Sequence, residues 1–146
     1  MKKILENIFT ACYIMAALLL VTACSDQLDI QQSYDFTVET MPVQSKIKVG
    51  ETAEIRCELK RESRCEDATY TIRYFQPDGT GKLVMDNGTV FLPNDRYSIT
   101  NETFRLYYTS SSTDQQKIDI YVEDNFGKMY QLSFSFNNNS SEEITK

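Results

Sequence analysis

The run Ile118-Asp119-Ile120-Tyr121-Val122-Glu123-Asp124-Asn125-Phe126-Gly127, with Tyr130-Gln131-Leu132-Ser133-Phe134-Ser135-Phe136 after it, decides the fold. Ile118, Ile120 and Val122 share one parity; Asp119 and Tyr121 share the other. Tyr130, Leu132, Phe134 and Phe136 repeat the alternation against Gln131, Ser133 and Ser135. A period of two puts one face of a strand on a core and the other in water, the pattern of a half-buried antiparallel sheet. Asp124-Asn125-Phe126-Gly127 supplies the turn, with glycine free to take the positive φ that such turns need. The parity predicts that Ile120 and Phe134 face inward.

Outward from this hairpin, the same period recurs along the chain. Tyr34, Phe36 and Val38 alternate with polar neighbours, Pro42 ends that run, and Ile47 and Val49 follow. Ala53, Ile55, Cys57 and Leu59 alternate with Glu54, Arg56 and Glu58. Tyr70, Ile72 and Tyr74 make another run, as do Phe104, Leu106 and Tyr108. Pro77-Asp78-Gly79, Asp86-Asn87-Gly88 and Pro93-Asn94-Asp95 separate the runs with turn residues. The closing hairpin resembles that of bacterial immunoglobulin-like modules. The expected fold is all-β, an immunoglobulin-like antiparallel β-sandwich of about seven or eight strands. The domain is expected over residues 33–137, with a polar C-terminal tail over 138–146.

The N-terminus reads differently. Lys2 and Lys3 precede an uncharged run from Ile8 to Val21, and Val21-Thr22-Ala23 leads directly into Cys24. Basic start, short apolar segment and small residues are the parts of a secretory signal. The apolar run falls short of the ~20 residues that a bilayer crossing takes. A cysteine at this point resembles the lipobox of bacterial lipoproteins, which implies a signal peptide over residues 1–23 and lipidation of Cys24. An uncleaved anchor helix is the competing reading. Two or more acyl chains make a durable tether where one is marginal. Residues 24–32 then form a lipid-proximal linker of at most ~28 Å. Without residues 1–23 the chain keeps 13 basic and 20 acidic side chains, a net charge of −7. Such a chain offers no clustered basic footprint for nucleic acid. Location in the cell envelope at the outer membrane is the expectation, with the periplasmic and surface faces both open.

Catalytic and metal-binding residue types are scarce. There is no histidine among the 146 residues, which removes Ser-His-Asp and Cys-His catalysis and histidine metal sites. Gly79-Thr80-Gly81-Lys82 lacks the spacing and the following Ser or Thr of a phosphate-binding loop. The turn aspartates Asp78, Asp86, Asp95 and Asp124 lack the calcium-loop spacing. No catalytic residue, cofactor or metal is assigned, and the chain is not expected to be an enzyme. Of the four cysteines, Cys12 and Cys24 belong to the N-terminal segment, which leaves Cys57 and Cys65. They flank an expected turn from Lys60 to Arg64, so a disulfide between them and two independent thiols are both open.

The chain has nine Tyr and eight Phe and no Trp. Most lie on the inward parity, as core packing requires. Phe75, Tyr107, Tyr121 and the turn residue Phe126 lie off it. With the polar turn Asn94, Asp95, Arg96 and Tyr97, they are the candidate partner surface, because exposed aromatics and loop residues are where partners dock.

Longer phrases carry a family resemblance. Leu28-Asp29-Ile30-Gln31-Gln32, Phe36-Thr37-Val38-Glu39-Thr40-Met41-Pro42-Val43 and Gly50-Glu51-Thr52-Ala53-Glu54-Ile55-Arg56-Cys57 are similar to the TraQ family of Bacteroides-type conjugative transposons. So are Ile72 to Gly79, Phe91 to Tyr97 and Phe104 to Ser110, and the likeness runs from about residue 28 to 138. The resemblance implies a small DUF3872-type envelope lipoprotein that serves a conjugative DNA-transfer apparatus by protein–protein interaction. Its implied partners are the membrane, through lipid, and other conjugation proteins. A surface-exposed adhesion or glycan-binding module is the alternative. Ser25-Asp26 with Asp29 partly resembles an acidic surface-export signal.

Overall fold

The computed structural model describes residue 3 and residues 34–61 and 67–138. The chain divides into two compact units, residues 1–31 and 32–146, and every strand described lies in the second. Nine strands follow in order: β1 (Phe36–Thr40), β2 (Lys46–Ile47), β3 (Thr52–Arg61), β4 (Tyr70–Asp78), β5 (Gly81–Met85), β6 (Tyr97–Ile99), β7 (Thr103–Ser110), β8 (Gln116–Asp124) and β9 (Met129–Asn138). They form a four-stranded sheet in the order β1-β3-β7-β5 and a five-stranded sheet in the order β2-β9-β8-β4-β6.

The fold is the expected all-β sandwich, with two corrections. The strands number nine among the described residues, not seven or eight, because β5 and β6 were not expected. β6 has three residues and β5 five, too few for an alternation to stand out. The sheets are not wholly antiparallel either: β2 runs parallel to β9, with Lys46 opposite Asn137 and Ile47 opposite Asn138. Two residues are enough there because the chain only crosses from one sheet to the other. Val49 sits in the turn after β2 and is exposed. Pro77 falls inside β4, not in a turn, where the β4–β8 register shifts between Phe75 and Asp78. A bulge is one of the few strand positions that tolerate proline. β9 reaches Asn138, one residue past the expected domain end.

The core follows the predicted parity. Ala53, Ile55, Cys57 and Leu59 of β3 and Phe104, Leu106 and Tyr108 of β7 face Ile72 and Tyr74 of β4 and Ile118, Ile120 and Val122 of β8, all buried. Ile120 is fully buried, while Phe134 is half-buried and packs on the core from its edge. At one end the core turns polar. The Tyr108 hydroxyl donates to Gln116 Oε1 at 2.6 Å, and Gln116 Nε2 donates to Ser110 Oγ at 2.7 Å and Ser112 O at 3.0 Å. The Gln76 amide meets the same hydroxyl at 2.7 Å. Buried polar groups persist only when paired in this way. Gly81 is required beside this cluster, since a Cβ there would overlap the Tyr108 ring.

Cys57 is a free thiol on the inward face of β3, and burial pushes its pKa up to about 12. Cys65, with the expected turn before it, lies outside the described residues. So do Cys24, the segment over residues 4–33 and the tail from residue 139.

Candidate functional site

The outer face of the five-stranded sheet carries the densest cluster of off-parity residues. Register sets Arg73 on β4 opposite Tyr121 on β8, and Phe75 opposite Asp119. Phe75 and Tyr121 are therefore diagonal neighbours, near enough for large side chains to touch. Their rings meet edge to face, with centroids 5.6 Å apart at 88°. The Arg73 guanidinium lies 5.7 Å from the Phe75 ring centre and 5.6 Å from that of Tyr121. Ring quadrupoles attract a cation at such distances. Arg73 Nη1 donates to Asn94 Oδ1 at 3.3 Å, while Arg73 Nε is buried with no hydrogen-bond partner among the described residues.

The chain before β6 is fastened to the same face. Asn94 has φ of 68°, a left-handed conformation that asparagine tolerates better than most side chains. Its amide donates to Tyr74 O at 2.8 Å, which pins the turn to β4. Arg96 donates from both Nε and Nη2 to Glu123 Oε2, at 3.3 and 3.0 Å. Opposite Phe75, Asp119 is only 8% exposed although its position points away from the core. It accepts from Ser133 Oγ at 2.5 Å and has Lys117 Nζ at 3.7 Å. The result is a cation–aromatic centre flanked by matched charges.

The eight sequence-predicted surface residues divide accordingly. Phe75, Tyr121 and Asn94 come together around Arg73, while Arg96 pairs with Glu123 on β8. Asp95 is exposed in the same turn. Tyr97 serves the fold instead: its ring stacks on Phe91 at 4.4 Å and 4°, and its hydroxyl accepts from Leu92 N at 2.9 Å. Tyr107 sits on the outside of the other sheet, opposite Glu54 and Val84. Phe126 is half-buried in the β8–β9 turn, and no ring contact joins it to the cluster among the described residues. Sequence reasoning missed Arg73, Asp119 and Glu123. The signal was available, since all three share the outward parity of Phe75 or Tyr121; only the β4–β8 register was lacking.

The four-stranded sheet has an open hollow of about 530 Å³ on its outer side, lined in part by Met41, Arg56, Asp86 and Arg105. Its two arginines are already engaged. Glu54 bridges Arg56 at 3.0 Å and Arg105 at 3.1 Å, and Asp86 accepts from the Arg105 amide at 3.1 Å. No group of three metal-ligating side chains exists among the described residues.

Comparison with known proteins identifies relatives of this fold and sequence. The family model described as TraQ conjugal transfer protein matches residues 7–139. A conjugative transposon lipoprotein from Bacteroides eggerthii is 57% identical, covers 73% of this chain and 100% of its own, and superposes with a TM-score of 0.68. A lipoprotein from Bacteroides thetaiotaomicron is 64% identical, covers 82% of this chain and 94% of its own, with a TM-score of 0.68. A conjugate transposon protein from Bacteroides vulgatus is 49% identical, covers 83% of this chain and 98% of its own, with a TM-score of 0.65. No curated protein matches the chain.

Proposed function

Because this chain belongs to the family of TraQ conjugal transfer proteins, we propose that it is a lipid-anchored accessory part of a conjugative transposon's DNA-transfer apparatus. The observation that carries this reading is the family match across residues 7–139, joined by relatives described as conjugative transposon and lipoprotein chains. The anchor is the lipid on Cys24, which follows the apolar run and Ala23 directly. The sandwich is then held close to the outer membrane, and its work is binding other transfer proteins, not catalysis. Its contact surface is the Arg73 cluster with Asn94 and Arg96, where cation, aromatic ring and matched charges offer specific contacts. A net charge of −7 without residues 1–23 leaves direct nucleic-acid binding to other components.

Deleting the gene from a mobilisable element and counting transconjugants tests the role; transfer frequency should fall sharply. Unchanged transfer with normal assembly of the other transfer proteins overturns it. A Cys24→Ser copy should leave the membrane fraction and fail to restore transfer. Intact mass of membrane-extracted protein should show an acylated N-terminus at Cys24. Tyr121→Ala should restore transfer poorly while Tyr107→Ala, on the opposite sheet, restores it fully. Equal restoration by both, in folded protein, removes the Arg73 face from the proposal.

A further inference from the structure

β9 has an edge without a strand along most of its length. It pairs with β8 from Met129 to Phe136, but on its other side β2 reaches only Asn137 and Asn138. The Asn137 amide donates to Ser45 O on that side, while Lys128 O accepts from Asp124 N on the β8 side. Backbone groups alternate along a strand, so Met129, Gln131, Ser133 and Ser135 direct their amides and carbonyls away from β8. No strand among the described residues receives them.

The other edges are guarded within their own strands; beside β9 lies the segment over residues 40–45, with an open hollow of about 360 Å³ between it and residues 133–136. β1 has five residues, carries Glu39 and is followed by Pro42; β5 has five and carries Lys82; β6 has three. Short length, charge and nearby proline are the usual guards against edge pairing. β9 has ten residues, with no Lys, Arg, Asp, Glu or Pro and a continuous register. Its inward residues Tyr130, Leu132 and Phe134 are half-buried, and Met129 is 48% exposed.

We propose that a second copy of this chain adds to this edge, β9 against β9 and antiparallel, about a two-fold axis at Leu132. Leu132 then lies opposite Leu132 of the second copy, Tyr130 opposite the second copy's Phe134, and Gln131 opposite its Ser133. Gln131 and Ser133 are among the residues with free outward backbone groups, so they form hydrogen-bonded pairs. The apolar residues fall at the closer, non-hydrogen-bonded positions, where aromatic and aliphatic pairs gain most. The register leaves Asn137 and Asn138 on β2, so no existing pair is broken. A copy fits because the alternation is self-complementary, apolar on apolar and neutral polar on neutral polar. Copies with a net charge of −7 each, without residues 1–23, repel generally, and this edge is where they meet without like charges. The pairing is isologous and closes at two chains. It stands independently of the Arg73 surface, although it would join two such faces on one sheet.

The test uses the full chain in its membrane, with Leu132→Cys in a Cys65→Ser background and mild oxidation. A disulfide-linked species of twice the mass is expected, while Thr37→Cys on the opposite sheet gives none. Adding Gln131→Pro, which removes an amide facing away from β8, should abolish the cross-link and leave the thermal melt nearly unchanged. The detergent-extracted wild type should sediment as a dimer. A monomeric wild type, a failure of Leu132→Cys to cross-link in folded protein, or its cross-linking to a different protein overturns the proposal.

Discussion

On the four-stranded sheet, Arg56 sits opposite Arg105 across β3 and β7, and Glu54 answers both cations with one carboxylate. On the five-stranded sheet, Arg73 sits opposite Tyr121 across β4 and β8, and two aromatic rings answer the cation instead. Both arginine sites lie on outward parity, and both belong to strands whose inward residues are ordinary core. The difference is in what is left over. Glu54 completes a closed set of charges in open solvent, where such pairs are screened and rearrange freely. Around Arg73 a buried Nε lacks a partner, two large rings stay half in water, and the flanking charges are already paired. A surface of the first kind is closed on itself; one of the second kind is the surface proposed to meet a partner.

The two faces are backs of one shared core, and the largest expected effect tests that. Ile120 lies at its centre, on β8 directly between the strands that carry Arg73 and Gln131. Ile120→Asp places an unpaired carboxylate in a dry interior and should cost ~3 kcal/mol or more. Chemical denaturation of the variant reads this directly. A melt like the parent's would mean that the two faces are not backed by one core.

Tyr108 gives the next effect in size and sharpens the contrast between open and closed polar groups. Tyr108→Phe leaves Gln116 Oε1 buried without its donor, at a cost of about 1–3 kcal/mol. Burial also raises the Tyr108 pKa from 10.0 to about 12, and that of Cys57 from 9.0 to about 12. Both groups hold their proton more tightly when folded. Their contribution to stability is therefore full below pH 9 and falls as pH rises from 9 towards 12, with Cys57 acting first. Melts across this range should show the decline, and Tyr108→Phe should flatten its upper part.

Period two made the core readable: Ile55, Ile72, Leu106, Ile118 and Ile120 were each placed inward by parity alone. Parity also put Phe75 and Tyr121 outside. What it could not give was which outward residues are neighbours, because that depends on register between strands far apart in the chain. Tyr107 and Tyr121 look alike in sequence, yet they sit on opposite sides of the molecule. Tyr97 looked like a surface residue because it follows a polar turn. Its stacking on Phe91 depends on the chain crossing between sheets, and no local pattern encodes that. β5 and β6 were missed for a related reason, since strands of five and three residues are defined by their partners more than by their own alternation.

Tyr121 and Tyr107 separate the two faces most directly. Tyr121→Ala removes an edge-to-face ring pair and a cation–π contact, with an expected loss of about 1–2 kcal/mol. Tyr107→Ala should stay within about 0.5 kcal/mol of the parent, since no ring contact holds it among the described residues. Paired denaturation curves decide this. Equal losses would make the Arg73 cluster an ordinary surface.

The smallest effect belongs to Glu54. Its carboxyl is held below the ordinary range, first by the hydrogen bond from Arg56 and further by the charges of Arg56 and Arg105. A lowered pKa gives stability that is present above the unfolded value of 4.5 and fades as pH falls through the folded one. The site is open to water, so salt should compete with it. Glu54→Gln leaves Arg56 and Arg105 facing each other, and directly opposed like charges disfavour a strand pair. The variant should melt slightly lower than the parent in dilute buffer at neutral pH, with the gap closing as salt is added. The same gap should shrink as pH falls from 4.5 through the lowered folded value, where the parent's own carboxylate takes up a proton. A deficit that persists in high salt would show that Glu54 acts through packing on Tyr107, its cross-strand neighbour. The four-stranded face would then be structured in the same sense as the Arg73 face, and the distinction between the two would fail.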